Sequence, residues 1–291
     1  MKISSFAVYR VKPRWIFIKL VTDEGIEGWG EMISGTKTET VVAGATELAQ
    51  TLIGRDPFAI ETLWQELYNS FFRGGPINAT IVSGIETALW DIKGKALNVP
   101  IYELLGGRAR DRIKVYSWIG GDRPDDVVRE ALDRKNRGFD AVKMNATEEL
   151  HYIDSYEKVQ AVVDRVASIR KEMGAGFGIA VDFHGRVHKP MAKVLAAALE
   201  PYHLMFLEEV VLPENEEAFR EVAQHVATPL ATGERLCSRW AFKNLFRTGV
   251  IDIIQPDVAL AGGILETRKI IATAESFDMA AAPHAPYGPI A

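Results

Sequence analysis

A 291-residue chain with a single cysteine, Cys237, cannot close an internal disulfide. That excludes the small disulfide-stapled scaffolds and fits a reducing, cytoplasmic setting. Long apolar runs are also missing, and nothing approaches the roughly 18 consecutive apolar residues that a membrane span requires. The N-terminus, Met1 to Arg10, lacks a long apolar core and reads as a strand, not a signal peptide. Basic blocks are absent too, and Lys+Arg 34 against Asp+Glu 39 leaves a net charge of −5. Neither a nucleic-acid partner nor a membrane is therefore expected. No Gly-x-Gly-x-x-Gly follows the first strand of the α/β part, which weighs against a nicotinamide dehydrogenase. What remains is 47% hydrophobic and 25% charged, ordinary for a globular enzyme with one large domain and a smaller one.

The pattern of the chain changes once. Residues 2–10, 15–21 and 26–31 predict three antiparallel strands, with Asp23-Glu24-Gly25 turning between the second and third. Thr36 and Glu39 have capping-box spacing and predict a helix to about Ile53, stopped by Gly54. Pro57 opens a second helix to about Phe72, and residues 73–76 form a loop. Ile81, Ile85, Ala88, Leu89 and Ile92 keep helical spacing in a third helix, and a short one from Pro100 ends at Gly106-Gly107. Residues 1–112 thus read as an α+β domain. From Ile113, strands at 113–119, 140–145, 177–184, 204–211, 229–234, 251–257 and 279–285 alternate with helices. These lie at about 124–137, 155–173, 188–200, 214–226, 238–248 and 262–276. The fold class is α/β, with 113–291 expected to form a (β/α) TIM-like barrel. A closed barrel of this type has eight strands. Only seven are legible, so the expectation is a barrel incomplete in this chain or completed by something else.

Three of these strands end in carboxylates. Asp182, Glu208 and Glu234 follow one another at equal intervals of 26 residues, about one βα unit. They are expected at one height, at the C-terminal strand ends where α/β barrels build active sites. Three hard oxygen ligands converging on one point suggest Mg²⁺. With side chains alternating along 177–184, Asp182 and His184 share the small, polar face, and Phe177, Ile179, Val181 and Phe183 the bulky one. One such acid alone is more simply a helix cap or surface group; three in register favour a site. Lys143 is either a base or electrostatic donor near the acids, or a lysine merely paired with one of them; Asn145, on its face, can only hydrogen-bond. Gln255 and Asp257 share a face of the sixth strand, and His284 tips the seventh. A carboxylate beside a histidine fixes its tautomer and raises its basicity. Opposed acid and base groups around Mg²⁺ suit proton abstraction next to a carboxylate.

These residues resemble the enolase superfamily, in its mandelate-racemase-like subgroup. The resemblance runs through Pro13-Arg-Trp15, Gly28-Trp-Gly-Glu31, Arg73-Gly-Gly-Pro76, Ala88-Leu-Trp-Asp91 and Tyr116-Ser-Trp118. It continues in Asp182-Phe-His-Gly-Arg186, Leu207-Glu-Glu209, Thr232-Gly-Glu-Arg235, Gln255-Pro-Asp257 and Ala282-Pro-His-Ala-Pro286. Asp182-Phe-His184 together with Lys143-Met-Asn145 points to its galactonate branch. The resemblance implies Mg²⁺ held by Asp182, Glu208 and Glu234, with Glu209 on the other face. It implies that His284, partnered by Asp257, takes the proton α to the substrate carboxylate, while His184 protonates the departing 3-hydroxyl. Asn145 stands where racemases of the subgroup carry a second lysine, which favours dehydration. Lys143, Asn145 and Arg73 are then substrate-binding. Residues 1–112 become a capping domain whose loops near 33–38 and 73–76 close over a small sugar acid. A cytoplasmic homo-oligomer is implied as well. Two departures stand out: Val210 replaces a typical proline, and the family continues for roughly another 90 residues, including the last strand. The expected outcome is a metal-capable dehydratase site, impaired as the chain stands. The alternatives are a related hexonate dehydratase or a truncated, non-catalytic binding protein.

Overall fold

The computed structural model describes residues 1–33, 35–70, 75–147 and 149–291. Three strands open the chain, β1 (Ile3–Val11), β2 (Trp15–Thr22) and β3 (Glu27–Ile33), paired antiparallel in the order β1-β2-β3. Along β2 every second residue is buried: Ile16, Ile18, Leu20 and Thr22. This is the period-two pattern of a sheet with one covered face. Helices α1 (Thr38–Gln50), α2 (Ile60–Asn69) and α3 (Gly75–Leu97) cover it, followed by the one-turn α4 (Ile101–Leu104). The sheet comes very close to α3. A Cβ on Gly30 would stand 1.8 Å from the Gly84 carbonyl oxygen, and one on Gly28 2.1 Å from that of Ala88. Only glycine lets strand and helix backbones approach in this way.

Strand and helix then alternate: β4 (Ser117–Ile119), α5 (Pro124–Asn136), β5 (Ala141–Asn145), α6 (Tyr156–Met173), β6 (Gly178–Asp182) and α7 (Lys189–Leu199). After a 3₁₀ turn come β7 (Phe206–Glu208), α8 (Glu216–Ala223), β8 (Leu230–Thr232), α9 (Ser238–Thr248), β9 (Ile253–Ile254), α10 (Ile264–Glu275) and β10 (Ala280–Ala281). All seven strands are parallel, in sequential order from β4 to β10, and curl as part of a barrel. The predicted alternation along β6 holds. Ile179 and Val181 join the large core under the helices, and Ala180 packs inside with Phe206 and Ala231. A second core belongs to the N-terminal sheet and its helices, centred on Ile16, Ile18, Leu20, Ile85 and Leu89.

Several predicted boundaries move. No side chain caps α1, whose first flanking residue is Lys37, so the Thr36–Glu39 box is not formed. Pro57 does not open α2; Asp56 accepts from the Phe58 N–H in a local turn, and the helix begins at Ile60. Helix α3 starts at Gly75, inside the expected loop, and Arg73 lies outside the described residues, as does Ser34 of the other cap loop. The expected strand 113–119 shrinks to Ser117–Ile119, leaving Ile113 and Val115 75% and 57% exposed. Strand pairing with β5 begins only at Ser117.

The two units interlock. Glu86 of α3 accepts the Ile264 and Leu265 N–H groups at the start of α10, at 2.7 and 2.9 Å. Ser83 accepts from Gly262 N–H at 2.9 Å, and Trp64 of α2 donates to the Gly262 carbonyl at 2.7 Å. Glu31 of β3, buried, accepts from the N–H groups of Gly288, Ile290 and Ala291. The N-terminal unit thereby grips the loop that follows His284.

Candidate active site

β6 and β7 stand in register at their ends, with Asn145, Asp182 and Glu208 on one rung. Glu208 in turn pairs with Ala231, so Glu234 lies three residues further on, past the end of β8. Equal spacing in sequence does not mean equal height here, and Glu234 enters from a turn. That turn runs through Gly233 at φ +139°, where a Cβ would meet the Gln255 nitrogen at 2.9 Å. Even so, the three carboxylates each offer an oxygen within 4.8 Å of the others. Among the described residues, this is the one cluster of acidic, histidine or cysteine ligands so arranged.

Burial of the three is uneven in its consequences. Burial, then the neighbouring Asp182 charge, pushes the Glu208 carboxyl well above the usual range, although Lys143 and Gln255 pull the other way. Burial also works against Asp182, but its hydrogen bond to His184 and the Lys143 charge outweigh it and hold it low. Lys143 Nζ lies 2.7 Å from Glu208 Oε2 and 3.5 Å from Asp182 Oδ2. Gln255 Nε2 donates to the same Glu208 oxygen at 2.8 Å. Glu208 Oε1 and Glu234 Oε2 are buried with no hydrogen-bond partner. Orphaned carboxylate oxygens aimed into a shared centre call for a cation, and oxygen donors of this kind suit a hard divalent ion. The residues fit a metal.

Two histidines flank the cluster. His184 has left β6 at φ +54°, so strand alternation no longer places it. Its N–H donates to Asp182 Oδ1 at 2.7 Å, and its Nδ1 lies 3.3 Å from Asp182 Oδ2. His284 is bridged to Asp257 through the backbone and again through Nδ1 to Oδ2 at 2.7 Å. Its Nε2 is 3.2 Å from Glu234 Oε2, close enough for charge attraction but without hydrogen-bond geometry. Burial lowers the His284 pKa, and the Asp257 hydrogen bond with the Glu234 charge more than restores it. The His184 pKa is raised first by its Asp182 bond. Each imidazole is thus anchored at Nδ1, which leaves Nε2 for proton transfer.

Three further residues support the site through contacts that the sequence does not reveal. Gln255 is fully buried on Glu208, a role foreshadowed only by its shared face with Asp257. Glu209 is also fully buried, turned at φ +42° onto Arg235. Tyr116 lies beneath Lys143, whose Nζ is 5.8 Å from the ring centroid. Their contacts cross strands, which local spacing does not encode.

Known proteins are similar to this chain in sequence and in fold. Residues 4–106 match the family model for the mandelate racemase / muconate lactonizing enzyme N-terminal domain, and residues 126–291 the enolase C-terminal domain-like model. D-galactonate dehydratase of Ralstonia nicotianae is 51% identical over 292 aligned positions, covering 100% of this chain and 76% of that protein. The D-galactonate dehydratase of Cronobacter sakazakii is 49% identical with the same coverage. Among solved structures, a member of the enolase superfamily from Salmonella Typhimurium superposes with a TM-score of 0.94 at 32% identity. It covers 99% of this chain and 81% of that one. The 3,6-anhydro-D-galactonate cycloisomerase of Zobellia galactanivorans gives 0.88 at 29%, covering 98% and 80%. Two matched family models and relatives half identical along the whole of this chain lead to one conclusion: the chain belongs to the enolase superfamily, in its mandelate racemase / muconate lactonizing enzyme group.

Proposed function

We propose that this protein is a Mg²⁺-dependent dehydratase converting D-galactonate to 2-dehydro-3-deoxy-D-galactonate and water. The observation that carries it is the pair of Nδ1-anchored histidines flanking a three-carboxylate cluster. The substrate is taken from the curated relatives, each named D-galactonate dehydratase. Asp182, Glu208 and Glu234 would hold the metal, which when bound would supply the positive charge that acidifies the α-carbon of the substrate. His284 Nε2 takes the C2 proton, and the C2–H electron pair passes into the carboxylate group. Collapse of that pair toward C3 breaks the C3–O bond, and His184 delivers the proton that lets the hydroxyl depart as water. The resulting enol tautomerises to the 2-keto acid, so atoms and charge balance. Asp257 keeps His284 in the tautomer with a free Nε2. Lys143 and Asn145, one strand over, are assigned to the substrate carboxylate and adjoining hydroxyl. We place the boundary between cap and barrel at 112/113 and read the protein as a cytoplasmic homo-oligomer.

The test is turnover of D-galactonate against a panel of other hexonates, with 2-keto acid detected after each incubation. Turnover of galactonate alone, lost in EDTA and restored by Mg²⁺, is the expected result. Turnover of a different epimer reassigns the substrate, and turnover of none overturns the dehydratase.

A further inference from the structure

Arg235 belongs neither to the metal cluster nor to either histidine–carboxylate pair, yet it is joined to the turns at the ends of three adjacent strands. Two of those turns carry a non-glycine residue in the left-handed region: His184 after β6, at φ +54°, and Glu209 after β7, at φ +42°. Such residues persist only where the surroundings over-determine them, and they gather at functional sites. The two turns are pinned to each other, because the Gly185 N–H donates to the Glu209 carbonyl at 3.1 Å. Arg235 follows Glu234 in the turn after β8 and pins both. Its Nε donates to Glu209 Oε1 and Oε2 at 2.9 and 2.8 Å, and its Nη2 donates to the His184 carbonyl at 3.0 Å. The Glu209 side chain is 0% exposed, and among the described residues its ion pair is with Arg235. A buried carboxylate without that partner does not hold its place.

We propose that Arg235 and Glu209 are positioning residues that form a strut fixing the His184 turn, and thereby the point from which His184 delivers its proton. This rests on the assignment of His184 as proton donor to the leaving hydroxyl. The planar guanidinium suits the task, since it reaches a carboxylate and a backbone carbonyl from one rigid fork, which an ammonium on a flexible stem cannot do. His284 stands outside this device. It sits on another strand end with Nδ1 on Asp257, and it meets the Arg235 turn through Glu234, whose carboxylate takes no part in the strut. Loosening the strut therefore uncouples the two proton transfers instead of weakening both.

The experiment compares wild type with Arg235→Lys and with the near-isosteric Glu209→Gln. Incubation of D-galactonate in deuterated buffer with Mg²⁺ reads C2 deuterium incorporation beside 2-keto acid formation, while calorimetry follows Mg²⁺ affinity. The expected result for both variants is elimination reduced by roughly 10²-fold, the order lost when a catalytic group is misplaced by about 1 Å. C2 exchange and Mg²⁺ affinity stay within a few-fold of wild type. Exchange and elimination falling together, or elimination left unchanged, overturns the strut. A second readout does not depend on the substrate assignment: ¹⁵N spectra of the histidine rings, with His184 and His284 identified from their Asn variants. The His184 signals should move in Arg235→Lys and those of His284 should not. Stationary His184 signals also overturn the proposal. If wild type turns over no galactonate, the dehydratase reading fails, and the ring spectra still decide the strut.

Discussion

Asp182 and Glu208 face each other across one rung of parallel sheet, while Glu234 reaches the same centre from a turn three residues beyond its own rung. The three therefore carry different backbone constraints but one electrostatic duty. Glu208→Gln or Glu234→Gln removes a charge from a cluster in which one buried oxygen of each of these residues has no hydrogen-bond partner. Each is expected to abolish Mg²⁺ binding and dehydration together, and unchanged affinity by calorimetry would refute the ligand assignment. The histidines divide the chemistry. His284→Asn is expected to eliminate C2 exchange with solvent, because only this imidazole is held by Asp257. His184→Asn is expected to keep exchange largely intact and lose water departure by 10²–10⁴-fold, the usual worth of a positioned proton donor. Equal loss of exchange in both variants sinks that division. At this scale the clustering of three carboxylates with two histidines was legible because each sits at, or just past, the end of an apolar strand. Gln255, Glu209 and Arg235 were not assigned roles, since their partners come from other strands.

At the scale of elements, periodicity located nearly every helix and strand, and α9 occupies its predicted residues, 238–248. Ends were less legible than interiors. The Thr36–Glu39 box has the right spacing, yet α1 begins two residues later with no side-chain cap, because tertiary packing on the sheet supplies the helix with what the cap would have given. Sequence patterning also gave no hint that a carboxylate on α3 serves as the cap of α10. Burial pushes the Glu86 carboxyl up to about 7 despite three N–H donors, from Leu265, Ile264 and Trp90. In the fold it then keeps its proton through a range where the unfolded chain has lost it. The folded state binds more protons between about pH 4.5 and 7, so stability falls as pH rises across that window and levels off above it. Glu86 contributes at most roughly 3 kcal/mol to this fall, and Glu266, also pushed up by burial, adds to it with the same sign. Urea midpoints at pH 5, 6, 7 and 8 are expected to decline less steeply in Glu86→Gln than in wild type. Parallel profiles would mean that Glu86 is already ionised in the fold.

Across the whole molecule, a change of pattern near residue 113 was legible, and the structure carries two separate main cores. How the units hold each other was not, because the polar contacts between them span well over a hundred residues of sequence. Glu31 is the clearest case. It stands in a Gly-Trp-Gly-Glu run whose glycines are explained by the close approach of α3, while its carboxylate accepts from three N–H groups at 288–291. Arg14, from the turn between β1 and β2, adds a donor to the Pro286 carbonyl at 3.0 Å. The loop that follows the proposed base is therefore anchored by the N-terminal unit, and the position of His284 depends on residues from both ends of the chain. Glu31→Ala leaves three backbone donors without their acceptor and is expected to cost about 2–4 kcal/mol. Hydrogen exchange locates the effect. Amides from 284 to 291 should exchange faster in the variant, while those of α3 and β6 keep their protection, since the hydrogen bonds shown for the Glu31 carboxylate come from Gly288, Ile290 and Ala291. Uniform loss of protection would mean that Glu31 supports the whole fold; loss confined to the loop would mean that the N-terminal unit holds the catalytic end of the barrel in place.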